Sequence, residues 1–483
     1  MIDFALPTFS LAGPEIAMLI MAGIILLVDV MLPERLRIVT YLLVQATLVI
    51  AFLLAIPQYR HHSEVLVTFN GHYVVDRLAI LLKLFIYVMS FASFVYARQY
   101  IEERKMLRGE YYILGLFCVM GMSVMASAYS LLTIYLGLEL LSLPLYAMVA
   151  SYKDSQQAIE AAMKYFIMGA LASGLLLYGI SILYGLTGSI SIPGIAQAIH
   201  TAPSSTVMLA LIFIMAALIF KFGAVPFHMW VPDVYQGAPT TVTLFIASAP
   251  KIAAFGITMR ILVQGMPSLH IAWEQILIVI AVLSMFMGNL LAIVQANIKR
   301  MLAYSSIAHI GYTLLGIIAG PNSQHGYSAA LFYISTYVLV AVGAFGIISL
   351  LSRSGLELDK LEDYRGLNAR SPWLAFMMLL LMFSMAGVPP TVGFFAKLGL
   401  LVSLVEAHLV WLAVAALIFA LIGAYYYLRV VMLMYFEEPT EAYARTPVVL
   451  SPDMMIAVTI NGIAVLALGI LPSTLIELCR IVI

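Results

Sequence analysis

Runs of about 20 apolar residues, each closed by a short polar or glycine- and proline-containing stretch, recur along this chain. The pattern predicts membrane spans near 14–32, 38–56, 76–98, 111–128, 130–150, 158–185, 206–230, 240–262, 271–295, 301–319, 327–350, 371–404, 409–435 and 452–475. Two of these runs are interrupted. The run 206–230 carries Gly223 and Pro226, and the run 371–404 carries Gly387, Pro389, Pro390 and Gly393. A broken helix survives at membrane depth only where protein or a wet cavity satisfies the freed backbone groups. The expectation is an all-α polytopic membrane protein of about 14 transmembrane helices, two of them broken.

The two breaks resemble each other. F-G-A-V-P-F around Gly223 and Pro226 parallels A-G-V-P-P-T around Gly387, Pro389 and Pro390, about 163 residues later. The same offset carries the fourth span onto the ninth. Each unit then holds five spans, an odd number, so the second unit enters the membrane with opposite polarity. Paired interrupted helices in inverted repeats mark the functional site of transporters. The expected division is an N-terminal three-helix segment (1–110), a first five-helix repeat (111–262), a second (271–436) and a C-terminal helix (437–483). Lys221 precedes its proline break, whereas Lys397 follows its own.

Basic residues set the orientation. Numbered from the N-terminus, the odd loops hold fourteen Lys and Arg: Arg35, Arg37, Arg98, Arg104, Lys105, Arg108, Lys153, Lys299, Arg300, Arg353, Lys360, Arg365, Arg370 and Arg445. The even loops, their edges and the tail hold four: Arg60, Arg77, Arg260 and Arg480. Cytoplasmic loops carry the excess of Lys and Arg, so odd loops are expected in the cytoplasm and both termini on the opposite side.

Composition agrees with the span pattern. Hydrophobic residues make up 63% and charged residues 10%, with a mean hydropathy of +1.04. Soluble domains run near ~45–50% apolar and ~25% charged. The net charge is zero, which leaves no footprint for nucleic acid. Cys118 and Cys479 are the only cysteines and form no disulfide framework, CxxC pair or iron–sulfur spacing. The N-terminus lacks a basic leader with a small-residue cleavage site, so the first span is expected to stay.

Against this apolar background four ionisable residues are conspicuous: Glu139, Lys221, Lys251 and Lys397. A lysine or aspartate at mid-bilayer costs ~2.5–3.5 kcal/mol, and an intramembrane ionisable residue reads by default as part of an ion or proton path. Glu139 is the only acid of T-I-Y-L-G-L-E-L-L-S-L-P-L-Y, with Ser142 and Pro144 just after it. It either pairs structurally or serves as the charge partner of a lysine, and Lys221, similarly deep, is the natural one. A carboxylate at ~4–6 Å holds a buried lysine protonated, and desolvation without one drives the proton off. A pair whose separation changes is therefore a proton switch. Lys251 directly follows Pro250 in the eighth span, and Lys397 follows the second break by about two turns.

Other polar residues leave two readings open. Glu160 and Lys164 stand four apart with the acid first, the favourable helical order. They are an interfacial ion pair or a proton inlet. His228 after the first break is a relay, as a histidine near neutral pH can be, or a structural histidine. His309, with Tyr304, Ser305, Ser306 and Tyr312, makes a polar helix that either carries a water wire between Lys251 and Lys397 or holds a satisfied bundle histidine. Lys83 and Arg429 lie near enough to span ends to be expected to snorkel. The 28 methionines and the stripe Tyr425, Tyr426, Tyr427 read as packing, and no phosphate loop, dinucleotide fingerprint or metal cluster is present.

Y-L-G-L-E-L-L-S-L-P-L-Y, A-I-E-A-A-M-K-Y-F, F-K-F-G-A-V-P-F-H-M-W-V-P-D-V-Y-Q-G-A-P-T, K-R-M-L-A-Y-S-S-I-A-H-I-G-Y and M-A-G-V-P-P-T-V-G-F-F-A-K resemble the antiporter-like membrane subunits of respiratory complex I. The resemblance covers about residues 70–435. The first two spans and the segment from Gln58 to His72 share only hydropathy with the family. It implies fourteen helices, two inverted five-helix units and a hydrophilic axis at mid-membrane. The family's central glutamate matches Glu139, its pumping lysine Lys221, its bridging lysine Lys251 and its histidine after the first break His228. The residue after the second break matches Lys397, which favours the N and L branches over the M branch, where glutamate is usual. The L branch carries a long lateral helix, and this chain stops soon after Pro472, so the N branch is expected.

The implied function is proton translocation within a proton-pumping NADH:quinone oxidoreductase, with no redox chemistry on this chain. Flavin, iron–sulfur clusters, NADH and quinone are expected on partner subunits, and the other membrane subunits, including antiporter-like ones, as partners within the bilayer. The implied location is the bacterial inner membrane, termini periplasmic. Protons would load Lys221 from the cytoplasm, pass Lys251 and leave by way of Lys397. Moving one charge against 100 mV costs ~2.3 kcal/mol, and a change of two pKa units supplies ~2.7 kcal/mol, so such a switch is large enough. An Mrp-type cation/proton antiporter subunit shares these motifs and is the alternative. A scaffold subunit whose buried charges only fix packing is a third reading.

Overall fold

The computed structural model describes residues 7–33, 36–61, 65–104, 109–352, 357–439 and 451–482. In chain order its helices are α1 (Gly13–Met31), α2 (Ile38–His61), α3 (Arg77–Glu103), α4 (Gly109–Ala126), α5 (Leu131–Val149), α6 (Gln156–Thr187), α7 (Ile192–Ala198), α8 (Ser204–Phe222), α9 (Trp230–Gly237) and α10 (Thr240–Ala247). They continue with α11 (Ala249–Thr258), α12 (His270–Ile293), α13 (Ile298–Ala319), α14 (Gly326–Leu351), α15 (Leu367–Arg370), α16 (Pro372–Ala386), α17 (Val392–Glu406), α18 (Val410–Phe436), α19 (Pro452–Ile470) and α20 (Pro472–Val482). Of the basic residues used for orientation, Arg35, Lys105, Arg108, Arg353 and Arg445 lie outside the described residues.

Among the described residues, thirteen helical stretches are long and apolar enough to cross a membrane. The remaining expected span is the pair α16 and α17, 15 residues each. The protein is an all-α, multi-pass membrane protein. The stretch 240–265, α13 and α14 form its centre, with 94% of each apolar window buried. The outer helices α1, α2, α18 and α19 turn side chains such as Leu27, Leu53, Leu421 and Ile460 outward, as lipid-facing helices do.

Both predicted breaks form, and by one device. α8 ends at Gly223 (φ +73°) and α16 at Gly387 (φ +86°), each in the left-handed region. The amide of Ala224 reaches back to Ile219 O at 3.0 Å, and that of Val388 to Phe383 O at 2.9 Å. This is the glycine-terminated helix end in which returning amides satisfy two of the orphan carbonyls. A cis X-Pro bond follows in each, Val225–Pro226 and Pro389–Pro390.

The eighth span differs from its expectation as one helix over 240–262. Ser248, at φ −106° and ψ −115°, separates α10 from α11. Pro250 has no amide hydrogen and cannot extend α10, but it suits the first turn of a new helix. α11 then runs into a π-helical turn over Met259–Gly265. A short hairpin also lies outside the all-α pattern: β1 (Leu66–Thr68) pairs antiparallel with β2 (Tyr73–Val75) through a turn with Phe69, Asn70 and Gly71 at positive φ.

Three basic residues sit differently from their expected places, and Arg429 reaches toward a helix end as expected. Lys83 does not snorkel. It is 0% exposed, and its Nζ lies 2.6 Å from Glu15 Oε1. Arg260, counted at a loop edge, is buried and donates to both carboxylate oxygens of Asp76 at 2.6 and 2.7 Å. Lys299, counted in a loop, is buried and donates to Ala238 O at 3.2 Å. Arg429 donates to Ile293 O, the last residue of α12, and to Gln295 O just beyond it, a helix C-terminus that favours a cation.

Candidate functional site

Helix ends explain how the buried amines are tolerated. A helix terminus leaves its last four carbonyls without intrahelical partners, and a broken helix places that terminus inside the bundle. Lys251, 2% exposed on α11, donates to Phe222 O, the last residue of α8, at 2.6 Å. Lys397 on α17 donates to Met385 O at 3.0 Å and Ala386 O at 2.8 Å, the last residues of α16. In both cases freed carbonyls replace water around an ammonium group at the end where the helix dipole favours positive charge.

Lys221 lies in the last turn of α8 and donates to Ser142 Oγ on α5 at 2.6 Å. Ser142 in turn donates to Leu138 O. Glu139 stands three residues before Ser142, half-buried, with its Oε1 enclosed and without a hydrogen-bond partner. No nitrogen–oxygen contact within 4.0 Å joins Glu139 to Lys221. The expected pair is therefore not in direct contact, and Ser142 holds the amine.

Lys221 and Lys251 wall the same cavity, together with Ser142, Tyr165, Trp230 and Pro250. Its volume of about 20 Å³ admits one ordered water. A second cavity of about 20 Å³ is walled by Lys397, His309, Tyr333, Tyr337 and Ser384. His309 is buried between two phenols, with Nδ1 2.7 Å from the Tyr333 hydroxyl and Nε2 2.9 Å from that of Tyr427. Tyr427 also contacts Ser305, and the Lys397 Nζ lies 5.4 Å from the Tyr312 ring centroid. The buried hydroxyls of Tyr235, on α9, Ser306, on α13, and Ser335, on α14, lack hydrogen-bond partners. Buried hydroxyls without protein partners are places for ordered water.

His228 is not brought into either cavity. It is half-buried in the segment before α9, and its Nδ1 has no partner. Glu160 and Lys164 form the expected i,i+4 pair at 2.8 Å near the start of α6. Lys164 also pairs with Asp233 on α9 at 2.8 Å, and Asp233 pairs with Arg300 on α13 at 2.8 Å. These side chains line a polar opening of about 150 Å³ at the rim. Burial pushes the Asp233 carboxyl up, and the hydrogen bonds from Lys164 and Arg300 more than offset this and hold it below its usual range. Sequence reasoning missed Ser142 and Asp233 as site residues. The signal for Ser142 was its i,i+3 spacing from Glu139, and for Asp233 its place seven residues after Pro226 of the first break.

The sequence profile described as NADH:quinone oxidoreductase/Mrp antiporter, transmembrane region, matches residues 128–423. The chain belongs to this family. It is 52% identical over 481 residues to the NADH-quinone oxidoreductase subunit N of Coxiella burnetii, covering 99% of both chains. Among solved structures it is similar to a chain of respiratory complex I from Thermus thermophilus, with 33% identity, a TM-score of 0.83, and 97% of this chain and 99% of that one covered. A chain of the Mrp complex from Dietzia shares the fold, with a TM-score of 0.85 over 98% of this chain and 97% of that one, at 20% identity.

Proposed function

We infer that this chain is the N-type, proton-translocating membrane subunit of an NADH–quinone oxidoreductase, complex I. Full-length similarity to proteins of that name supports the assignment, whereas the Mrp likeness is one of fold alone. Its partners are the other membrane subunits of the complex, as in the assemblies that hold its structural relatives. Flavin, iron–sulfur clusters, NADH and quinone belong to other subunits of the complex. The stretches 111–262 and 271–436 act as two inverted units, each contributing one broken helix. The termini face the periplasm, in keeping with the Lys and Arg excess of the odd loops.

The observation that carries the mechanism is the single water-sized cavity shared by Lys221 and Lys251. A proton enters by the Glu160–Lys164 rim, loads Lys221 and crosses one water to Lys251. It continues past His309 to Lys397, whose cavity it shares. Glu139 sets the switch: approach of its carboxylate holds the proton on Lys221, and its withdrawal to the observed separation leaves the amine to Ser142 and releases the proton. Charge movement in neighbouring subunits during quinone reduction drives that change. His228 lies aside and serves as a secondary relay.

The test is Lys221→Ala in the assembled complex, reconstituted in liposomes, with quinone reduction and proton uptake measured together. Pumping per electron is expected to fall. Unchanged pumping at unchanged electron flow removes Lys221 from the mechanism. A tag on this chain should also bring down a flavin- and iron–sulfur-containing assembly, which an Mrp-type antiporter would not.

A further inference from the structure

The N-terminal three helices lie outside the matched profile and outside the axis described above, yet they hold a buried ion pair. Glu15 on α1 and Lys83 on α3 are 7% and 0% exposed. Ser123 of α4 donates to Glu15 Oε1 at 2.6 Å, Tyr73 of β2 donates to Glu15 Oε2 at 2.8 Å, and Lys83 donates to the Tyr73 hydroxyl at 2.7 Å. α1 and α3 both begin at this end of the bundle. The Asp76–Arg260 pair lies at the same end, on the cap of α3 and the π-helical turn after α11.

From Lys83 a polar stripe runs along α3. Lys83, Tyr87, Ser90 and Ser93 are spaced four, three and three residues apart, which keeps them on one helix face. All four are at most 1% exposed. At the far end, Ser93 Oγ meets Ser248 Oγ at 3.3 Å, and Ser248 is the break between α10 and α11 three residues before Lys251. At the near end, the Tyr87 hydroxyl meets Ser123 Oγ at 2.7 Å. Because Ser123 gives its own proton to Glu15, Tyr87 must be the donor, and the donors point in series toward the Glu15 carboxylate. In between, Ser90 Oγ is buried without any partner. Successive members three residues apart are separated along the axis by a rise of ~4.5 Å, so the stripe conducts only with a water between neighbours.

We propose that α3 carries a transverse proton wire, a branch that leads from the break beside Lys251 to a terminal carboxylate at Glu15, on the face where α1 begins. This rests on the reading of Lys251 as a proton carrier. The Lys251 ammonium, which donates to Phe222 O in the structure, turns away from that carbonyl and gives its proton to water at Ser248. Ser93 and Ser248 donate to Met89 O and Phe245 O in the structure, so one of them turns to accept. Each hydroxyl or water along the stripe binds one proton on oxygen and releases its own. Glu15 takes the last one and becomes a neutral acid, Lys83 remains an ammonium group, and no electrons move. Release from Glu15 to the adjoining aqueous face resets the chain. A pair present only to fix α1 against α3 would need neither the unpartnered Ser90 nor the hydroxyls beyond Tyr87.

Ser90→Val and Ser90→Thr have nearly equal volume and differ in the hydroxyl. Each is built into the complete complex, with Lys251→Met for comparison, and protons moved per electron are measured in liposomes driven by NADH and quinone. Ser90→Val is expected to lose a resolvable part of the pumping that Lys251→Met loses, Ser90→Thr to retain wild-type pumping, and Ser90→Val added to Lys251→Met to lose nothing more. Equal ratios for the Val and Thr variants overturn the wire. Full pumping by Lys251→Met would instead remove the axis on which it rests. Should Ser90→Val fail to assemble, Glu15→Gln, which keeps the size of the terminal group and cancels its proton affinity, is held to the same comparison with Lys251→Met, and an unreduced ratio there sinks the proposal.

Discussion

Among the described residues, Ser142 is the one hydroxyl that accepts from the Lys221 amine. Replacing it by alanine leaves a half-buried ammonium donor short of a partner, an imbalance at the lower end of ~1–3 kcal/mol. Ser142→Ala is expected to slow quinone-coupled proton uptake several-fold with assembly preserved, and Ser142→Thr to restore most of it; equal rates for the two variants would deny the hydroxyl a role. The lysines were legible in the sequence because an amine in lipid is expensive wherever it sits. Ser142 was not legible as the acceptor, because a serine in a membrane helix costs little and satisfies itself on its own backbone. Lys83 was misread for a third reason. Its depth along α3 was visible, but the arrival of Glu15 from α1, 68 positions earlier in the sequence, was not.

The breaks belong to the scale of the element. Gly223 and Gly387 hold φ values of +73° and +86°, where an L side chain costs ~1–2 kcal/mol. A Cβ on Gly223 would also stand 2.5 Å from Val231 Cγ2, and one on Gly387 2.9 Å from Lys397 Cδ. Gly387→Ala should push Lys397 off the Met385 and Ala386 carbonyls and lower pumping more than it lowers assembly. Gly174→Ala on α6, where a Cβ meets nothing within 4 Å, should be silent in both assays. Loss of function in Gly174→Ala equal to that in Gly387→Ala would show that any added methyl disturbs the bundle. These two breaks were readable because glycine and proline together stop a helix. The interruption at Ser248 was not, because Pro250 suits a helix start as well as a kink and Ser248 carries no signal of its own. The hairpin was hidden in the same way, its strands being only three residues each.

At the scale of the whole molecule, Asp233 joins parts that the sequence keeps far apart. Its two oxygens hold Lys164 of α6 and Arg300 of α13, one from each proposed unit. It rides on α9, an eight-residue helix whose first residue, Trp230, walls the Lys221–Lys251 cavity. Trp230 is itself fixed by donation from its Nε1 to Phe220 O at 3.1 Å. A change at the rim is thus transmitted to the cavity through less than three turns of helix. Asp233→Asn keeps the shape of the side chain and removes its charge, leaving Lys164 to Glu160 and Arg300 to Gln236. Because the native carboxyl is held below its ordinary value of 3.8, its contribution to stability is complete above that value and is lost only as the pH falls through the lowered one. The melting temperature of the Asp233→Asn complex should therefore lie below wild type by a constant amount between about pH 6 and pH 8, narrowing only in acid well beyond that window. An offset that varies across the neutral range would mean that Asp233 titrates there, and that the two cations do not hold it as a permanent anion.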